Sequence, residues 1–150
     1  MNHTTPPQDT GGAASLTLGR IRRLLAVTFL AGASGTGIEL LLIGHYEDWQ
    51  QFIPLVLLFS GIGAMAWQVA SRGTGSLRLL QGLMLMFLVS GGLGVVFHYG
   101  GNVEFELEMY PSMAGMELFA KTMTGATPVL APGTMVVLGL VGLAYGWARR

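Results

Sequence analysis

The chain has 150 residues, 51% of them hydrophobic and only 11% charged, with a formal net charge of zero. A soluble domain carries about a quarter charged residues, so this composition points into a membrane, and it offers no basic patch for nucleic acid. There is no cysteine, which excludes disulfides, thiol catalysis and Cys-ligated zinc.

The polar start contains Pro6, Pro7, Gly11 and Gly12 and lacks the apolar content to pack. Residues 1–19 are expected to be a disordered cytoplasmic tail ahead of a membrane domain over 20–150. Arg20, Arg22 and Arg23 precede an apolar run over 24–43, long enough for one hydrocarbon thickness of ~30 Å. The rival reading is a signal peptide, with Leu24–Leu30 as its core and Ala31-Gly32-Ala33 as the cleavage site. The run continues ten residues past that site, which favours a span.

A polar turn, Tyr46-Glu47-Asp48-Trp49, leads to a second span over 52–71, with Pro54 in its first turn. Arg72-Gly73-Thr74-Gly75-Ser76 is the next turn. The third span covers 79–98 and the fourth 129–148, with Gly133 as an alternative beginning after Pro132. The expected fold is an all-α membrane protein: a bundle of four transmembrane helices, with an external segment over 99–128.

Arginine placement orients the spans. Alternate ends share a side, and every arginine (20, 22, 23, 72, 78, 149 and 150) falls on one of them. That side is expected to be cytoplasmic, with both termini inside and the protein multi-pass in a cell inner membrane. Glu47, Asp48, Glu104, Glu106, Glu108 and Glu117 fall on the other side, with Lys121. Small residues recur at helix-contact spacing, notably Gly32/Gly35 (on a face shared with Glu39), Ser60/Ala64, Ser90/Gly94 and Gly142/Gly146. They suit packing within the chain, or self-association through the fourth helix.

In the external segment, Val103 to Met109 alternates apolar and acidic residues, the period of an extended strand. It has no ladder partner and could instead lie along the helix ends. Ser112 is a good N-cap for a short surface helix carrying Met113, Met116, Ala120 and Met123 at helical spacing, with Gly125 at its end.

Met109, Met113 and Met116 have a spacing that would suit a soft ion such as copper(I), and His45 and His98 could add imidazoles. Those two histidines could also take a haem. The plainer reading is that methionine is an adaptable apolar anchor and that an interfacial histidine needs no ligand. Glu39 is the one ionisable residue well inside a span. It is expected to turn into the bundle with Gly32 and Gly35. There it is either a hydrogen-bonded structural carboxyl or a proton or cation site.

Four spans with a membrane glutamate in the first helix resemble the small multidrug-resistance exporters. In that family the glutamate lies near mid-membrane and the loops are short. Here Glu39 is near the end of its span and the external segment is about thirty residues. The stretch Gly101-Asn102-Val103-Glu104-Phe105-Glu106-Leu107-Glu108-Met109, with Gly125-Ala126-Thr127-Pro128 and Ala131-Pro132-Gly133, resembles uncharacterised small bacterial membrane proteins. That likeness implies a bacterial inner membrane and no activity.

No phosphate-binding loop, HExxH or Ser/His/Asp arrangement is present, and no enzyme activity or cofactor is expected. The first functional expectation is a non-catalytic scaffold or accessory subunit of a membrane assembly. It would meet the lipid bilayer and a membrane protein partner or a second copy, and no nucleic acid. The second is a small proton- or metal-coupled transporter using Glu39.

Overall fold

The computed structural model describes residues 10–125 and 127–148. The start of the polar tail, Ala126, and the terminal Arg149 and Arg150 lie outside the described residues. Among the described residues there are five helices and no strand: α1 Thr10–Leu42, α2 Trp49–Ser71, α3 Thr74–Met109, α4 Gly115–Met123 and α5 Gly133–Trp147. The first three are long and apolar enough to cross a membrane.

Helix α1 begins earlier than the apolar run. Residues 10–19, expected in a disordered tail, form its first turns. Ala13, Ala14, Leu16 and Leu18 are good helix formers. The hydroxyls of Ser15 and Thr17 donate to the carbonyls of Gly12 and Ala13, at 2.8 and 3.0 Å. The helix ends in a Schellman motif. Gly44 takes φ +70°, its N–H donates to Leu41 O at 3.3 Å, and the N–H of His45 donates to Leu40 O at 2.9 Å.

Helix α2 starts at Trp49 because Gln51 Oε1 folds back to accept the N–H of Glu47 at 2.8 Å and of Asp48 at 3.4 Å. Pro54 therefore falls in the second turn, where it leaves the Gln50 carbonyl without its helical donor. The helix closes on Arg72 at φ 52°, whose N–H donates to Gln68 O at 3.0 Å. The short turn to α3 is stapled by Ser76. Its hydroxyl meets the buried Gln68 Oε1, Ser71 Oγ at 2.9 Å and Gly73 O at 3.1 Å.

Helix α3 runs for 36 residues, ~54 Å at 1.5 Å per residue, well beyond a ~30 Å hydrocarbon core. It absorbs the stretch 103–109, so the expected strand is a helix. Glu, Leu and Met are strong helix formers, and continuing a helix adds one hydrogen bond per residue, whereas a lone strand gains none. The burial pattern there has helical period: Tyr99, Asn102, Val103, Glu106 and Leu107 are wholly or partly covered, while Glu104, Phe105 and Glu108 are exposed.

Helix α4 packs back on α3, with the rings of Phe119 and Tyr99 6.4 Å apart. It begins at Gly115, three residues after the expected Ser112 cap, which lies in a turn following Pro111. Its Glu117 stands in the first turn and Lys121 in the last, each opposite in sign to the helix end it sits on.

Helix α5 has 15 residues, ~22 Å, shorter than the expected span over 129–148. A ladder of backbone bonds three residues apart leads into it, from Ala131 N to Pro128 O (3.1 Å), Gly133 to Leu130 (2.9 Å), Thr134 to Ala131 (3.1 Å) and Met135 to Pro132 (3.0 Å). This tighter 3₁₀-type winding rises ~2 Å per residue.

Helix α1 packs against α2 and α5, and α3 packs against the same two. The core is built on Phe29, Leu58, Met65, Leu80, Met84 and Phe87. The rings of Phe29 and Phe87 lie 5.8 Å apart over Gly61, where a Cβ would meet both at 2.9–3.1 Å. The α3–α5 contact is closer still. A Cβ on Gly91 would stand 2.9 Å from the backbone O of Pro132 and N of Val136, and one on Gly139 would stand 2.9 Å from Met84 O. Gly142 and Gly146, the GxxxG pair, pack inside the chain against Met84 and against Gln81 and Leu77.

Two polar ends result. At one, the Arg22 guanidinium carbon lies 5.4 Å over the Tyr145 ring, joining α1 to α5. At the other lie His45, His98 and Asn102, with Thr122, Thr127 and Pro128.

Candidate functional site

The described structure brings His45 and His98 together, though 53 residues of sequence separate them. Their ring centroids are 6.3 Å apart and the rings are tilted by 53°. His45 is fixed by the Schellman motif, since Gly44 turns the chain back and hands on a residue whose N–H is already bonded. His98 is fixed from α3, with its Nδ1 3.1 Å from Pro128 O. A carbonyl only accepts, so Nδ1 carries the proton in this contact and Nε2 is left with its lone pair in the neutral ring.

Asn102, one helical turn beyond His98, holds that carbonyl in place. It is buried and uses its whole amide. Nδ2 donates to Thr122 O at 2.9 Å and to Thr127 O at 2.8 Å. Oδ1 accepts from Thr127 N at 3.2 Å and Thr127 Oγ1 at 2.8 Å. Gly125 passes close by, where a Cβ would stand 2.9 Å from Asn102 Cγ and Nδ2. The chain of supports is therefore Asn102, Thr127, Pro128, His98, His45.

The other expected site residues are dispersed. Met109 ends α3, Met113 lies in the turn and Met116 is in α4. Their spacing would put them on one face only of an unbroken helix, and the chain leaves the helix at Tyr110, just before Pro111. Met109 and Met116 are exposed. Among the described residues, no cluster of three or more His, Asp or Glu is placed to share an ion.

Glu39 does not turn into the bundle. The covered stripe of α1 is Ala26, Phe29, Ala33 and Gly37, and Gly35 and Glu39 are exposed. Two residues past Gly37 is ~200° around the helix, which sets Glu39 on the opposite face. Phe29 decides the rotation, because its ring fills the space over Gly61. Gly32 meets Leu138 of α5 at the edge of this stripe.

Comparison of the chain with protein-family models, with curated proteins and with solved structures gives no match. The functional reading therefore rests on the geometry. Asn102 is the residue that composition and motif do not single out. A four-residue step from His98 would mark it, once the helix is known to continue through both.

His45 lies beyond the end of α1, and its pKa is lowered from the usual 6.5, first by burial and then by the neighbouring His98. Both causes favour the neutral ring. Well above pH 6.5 the ring is neutral in both the folded and the unfolded chain. As pH falls through 6.5 the unfolded chain takes its proton first, so stability is lost downward from 6.5 through the lower folded value. Amide protection around residues 122–128, corrected for the intrinsic pH dependence of exchange, is expected to fall between pH 7.5 and 5. His45→Gln should flatten that profile. An equal pH response in both proteins would separate the effect from His45.

Proposed function

We propose that this chain is a non-catalytic integral membrane protein, a scaffold or accessory subunit that holds another membrane chain against the outward face of α1. The observation that supports it most is the placement of Glu39. A carboxyl on an exposed face of a membrane helix is costly in lipid and calls for a partner. Ala31 and Gly35 share that face at four-residue spacing and are also exposed, and small residues allow a second helix to approach closely. The fitting occupant is a transmembrane helix with a hydrogen-bond donor or basic group at the depth of Glu39.

The same placement weighs against the alternative, proton- or metal-coupled transport through Glu39. The grooves between helices are apolar, such as that of Ala33, Gly37, Ile38, Leu58, Phe59 and Ile62, and Glu39 does not line it.

The proposed topology has four crossings, with the arginine end in the cytoplasm of a bacterial cell. Helix α5 with the 3₁₀-type turns ahead of it reaches ~30 Å, which supports a fourth crossing. Single cysteines at Thr74 and Ser112 should label from opposite sides of the membrane. Labelling of both from one side would end the four-span reading.

Native mass spectrometry of gently extracted protein tests the partner. A hetero-complex is expected that dissociates on Gly35→Leu or Glu39→Leu, while each variant keeps its thermal stability. A wild-type chain that is monomeric in the membrane by cross-linking would overturn the scaffold reading. Proton flux lost in Glu39→Gln would replace it with the transporter.

A further inference from the structure

We propose that His45 and His98 together bind a borderline transition-metal ion, Cu²⁺ most tightly, through their two imidazoles. This site is separate from the Glu39 face and does not depend on the scaffold reading.

The first support is geometric. With metal–nitrogen bonds of about 2.0–2.1 Å, two imidazoles on one ion have ring centroids roughly 4.5–6.5 Å apart, widening as the angle at the metal opens from cis to trans. The observed separation is 6.3 Å, which fits an ion held between two nearly opposite imidazoles, the trans arrangement that a tetragonal Cu²⁺ site accepts.

The second support lies behind the ligands. A metal-bound imidazole almost always donates its other N–H to a carboxylate, carbonyl or water, which fixes the tautomer and aims the free nitrogen. His98 has this arrangement with Pro128 O at 3.1 Å. That carbonyl adjoins Thr127, which Asn102 holds at N, O and Oγ1. On the other side, the Schellman motif sets the backbone of His45. Each ligand thus comes from a rigid element, and neither relies on a long loop.

Ligand type then selects the ion. Two imidazoles without thiolate suit Cu²⁺, Zn²⁺ or Ni²⁺, and the order of divalent affinities puts Cu²⁺ first. Glu47, Asp48, Glu104 and Glu106 belong to the same end of the chain, and their negative field draws cations toward it. The other coordination positions are open to water or an exogenous donor. The site is therefore suited to holding or passing on an ion and less suited to sealing one in.

The test uses the full-length chain in detergent, with a histidine-free affinity tag and His3→Ala so that only the two site histidines are present. Cu²⁺ titration should give one ion per chain, with electron paramagnetic resonance lines from two imidazole nitrogens. His45→Gln or His98→Gln should each weaken binding by more than the ~10–100-fold typical of losing a supporting group. Asn102→Ala, which removes only support, should weaken it ~10-fold. Met109→Leu with Met113→Leu and Met116→Leu should leave it unchanged. Circular dichroism checks that each variant is folded, and His45→Ala gives a second route if one is not. Binding that survives in the His45→Gln, His98→Gln double variant, or no stoichiometric binding at all, would overturn the proposal. So would a haem absorption band in the purified protein that both substitutions abolish, because the pair would then belong to a macrocycle.

Discussion

Replacing Asn102 by alanine is expected to release the segment from Thr122 to Pro128 from α3. Four hydrogen bonds are lost at once. A net hydrogen bond contributes ~0.5–1.5 kcal/mol, and a buried group left without a partner costs ~1–3 kcal/mol. Thr127 is exposed and can turn to water, but Thr122 is buried. The loss is therefore about 2–4 kcal/mol and local. Amide exchange should accelerate across residues 122–128, with little change in the cores of α1 and α2. Asn102→Asp should do more damage, because it sets a carboxylate oxygen against the carbonyls of Thr122 and Thr127 in place of a donor. If Asp is tolerated better than Ala, the amide does not bond as described.

The second large effect is expected at Gly91. An added methyl would meet Pro132 O, Val136 N and Val136 Cγ2 at 2.7–2.9 Å. Two of these are backbone atoms of the neighbouring segment, so no rotamer change relieves the clash and α5 must shift away from α3. Overpacking of this kind costs ~1–3 kcal/mol and occasionally more. Gly139→Ala should behave likewise, since its new Cβ would meet Met84 O at 2.9 Å. Gly82→Ala and Gly92→Ala serve as controls, because nothing lies within 4 Å of either position. Their thermal unfolding should be unchanged or slightly raised, as alanine is the better helix former. A Gly91→Ala protein as stable as Gly92→Ala would mean the two helices do not touch as described.

These two results concern features of unequal legibility. The apolar runs of α1, α2 and α3 stand out by length and lack of charge, and the turns between them by Gly, Pro and acidic residues. The close glycines of α5 are legible too, because small residues at four-residue spacing have few other uses in a membrane. Rotation about each axis is not legible from spacing alone. The stripe Gly32, Gly35, Glu39 and the stripe Ala26, Phe29, Ala33, Gly37 both obey helical spacing. The partner's shape chooses between them, and the choice falls to the gap that Gly61 leaves for Phe29.

The segment after His98 shows a second limit. Strict alternation over seven residues is a strand signal only where a ladder partner exists. Here α3 was already nucleated upstream, and extension cost less than a new start. Once that run is helical, Asn102 falls on the face of His98 and the clamp follows. The proximity of His45 to His98 is half legible, since each follows or closes an apolar run on the same side. Contact between their rings depends on the backward turn at Gly44.

The unbroken length of α3 has a mechanical consequence. No hinge separates its apolar part from the last eleven residues after His98, ~16 Å of rod, and α4 rides on that rod. A tilt of ~10° about the middle of the apolar part, well within the range that bilayer thickness imposes on membrane helices, would swing His98, about ten residues or ~15 Å further along, sideways by ~3 Å. His45 hangs from α1 and would not follow. The two imidazoles therefore sit across the joint between a post and a lever, where a change in membrane thickness becomes a change in the distance between their rings.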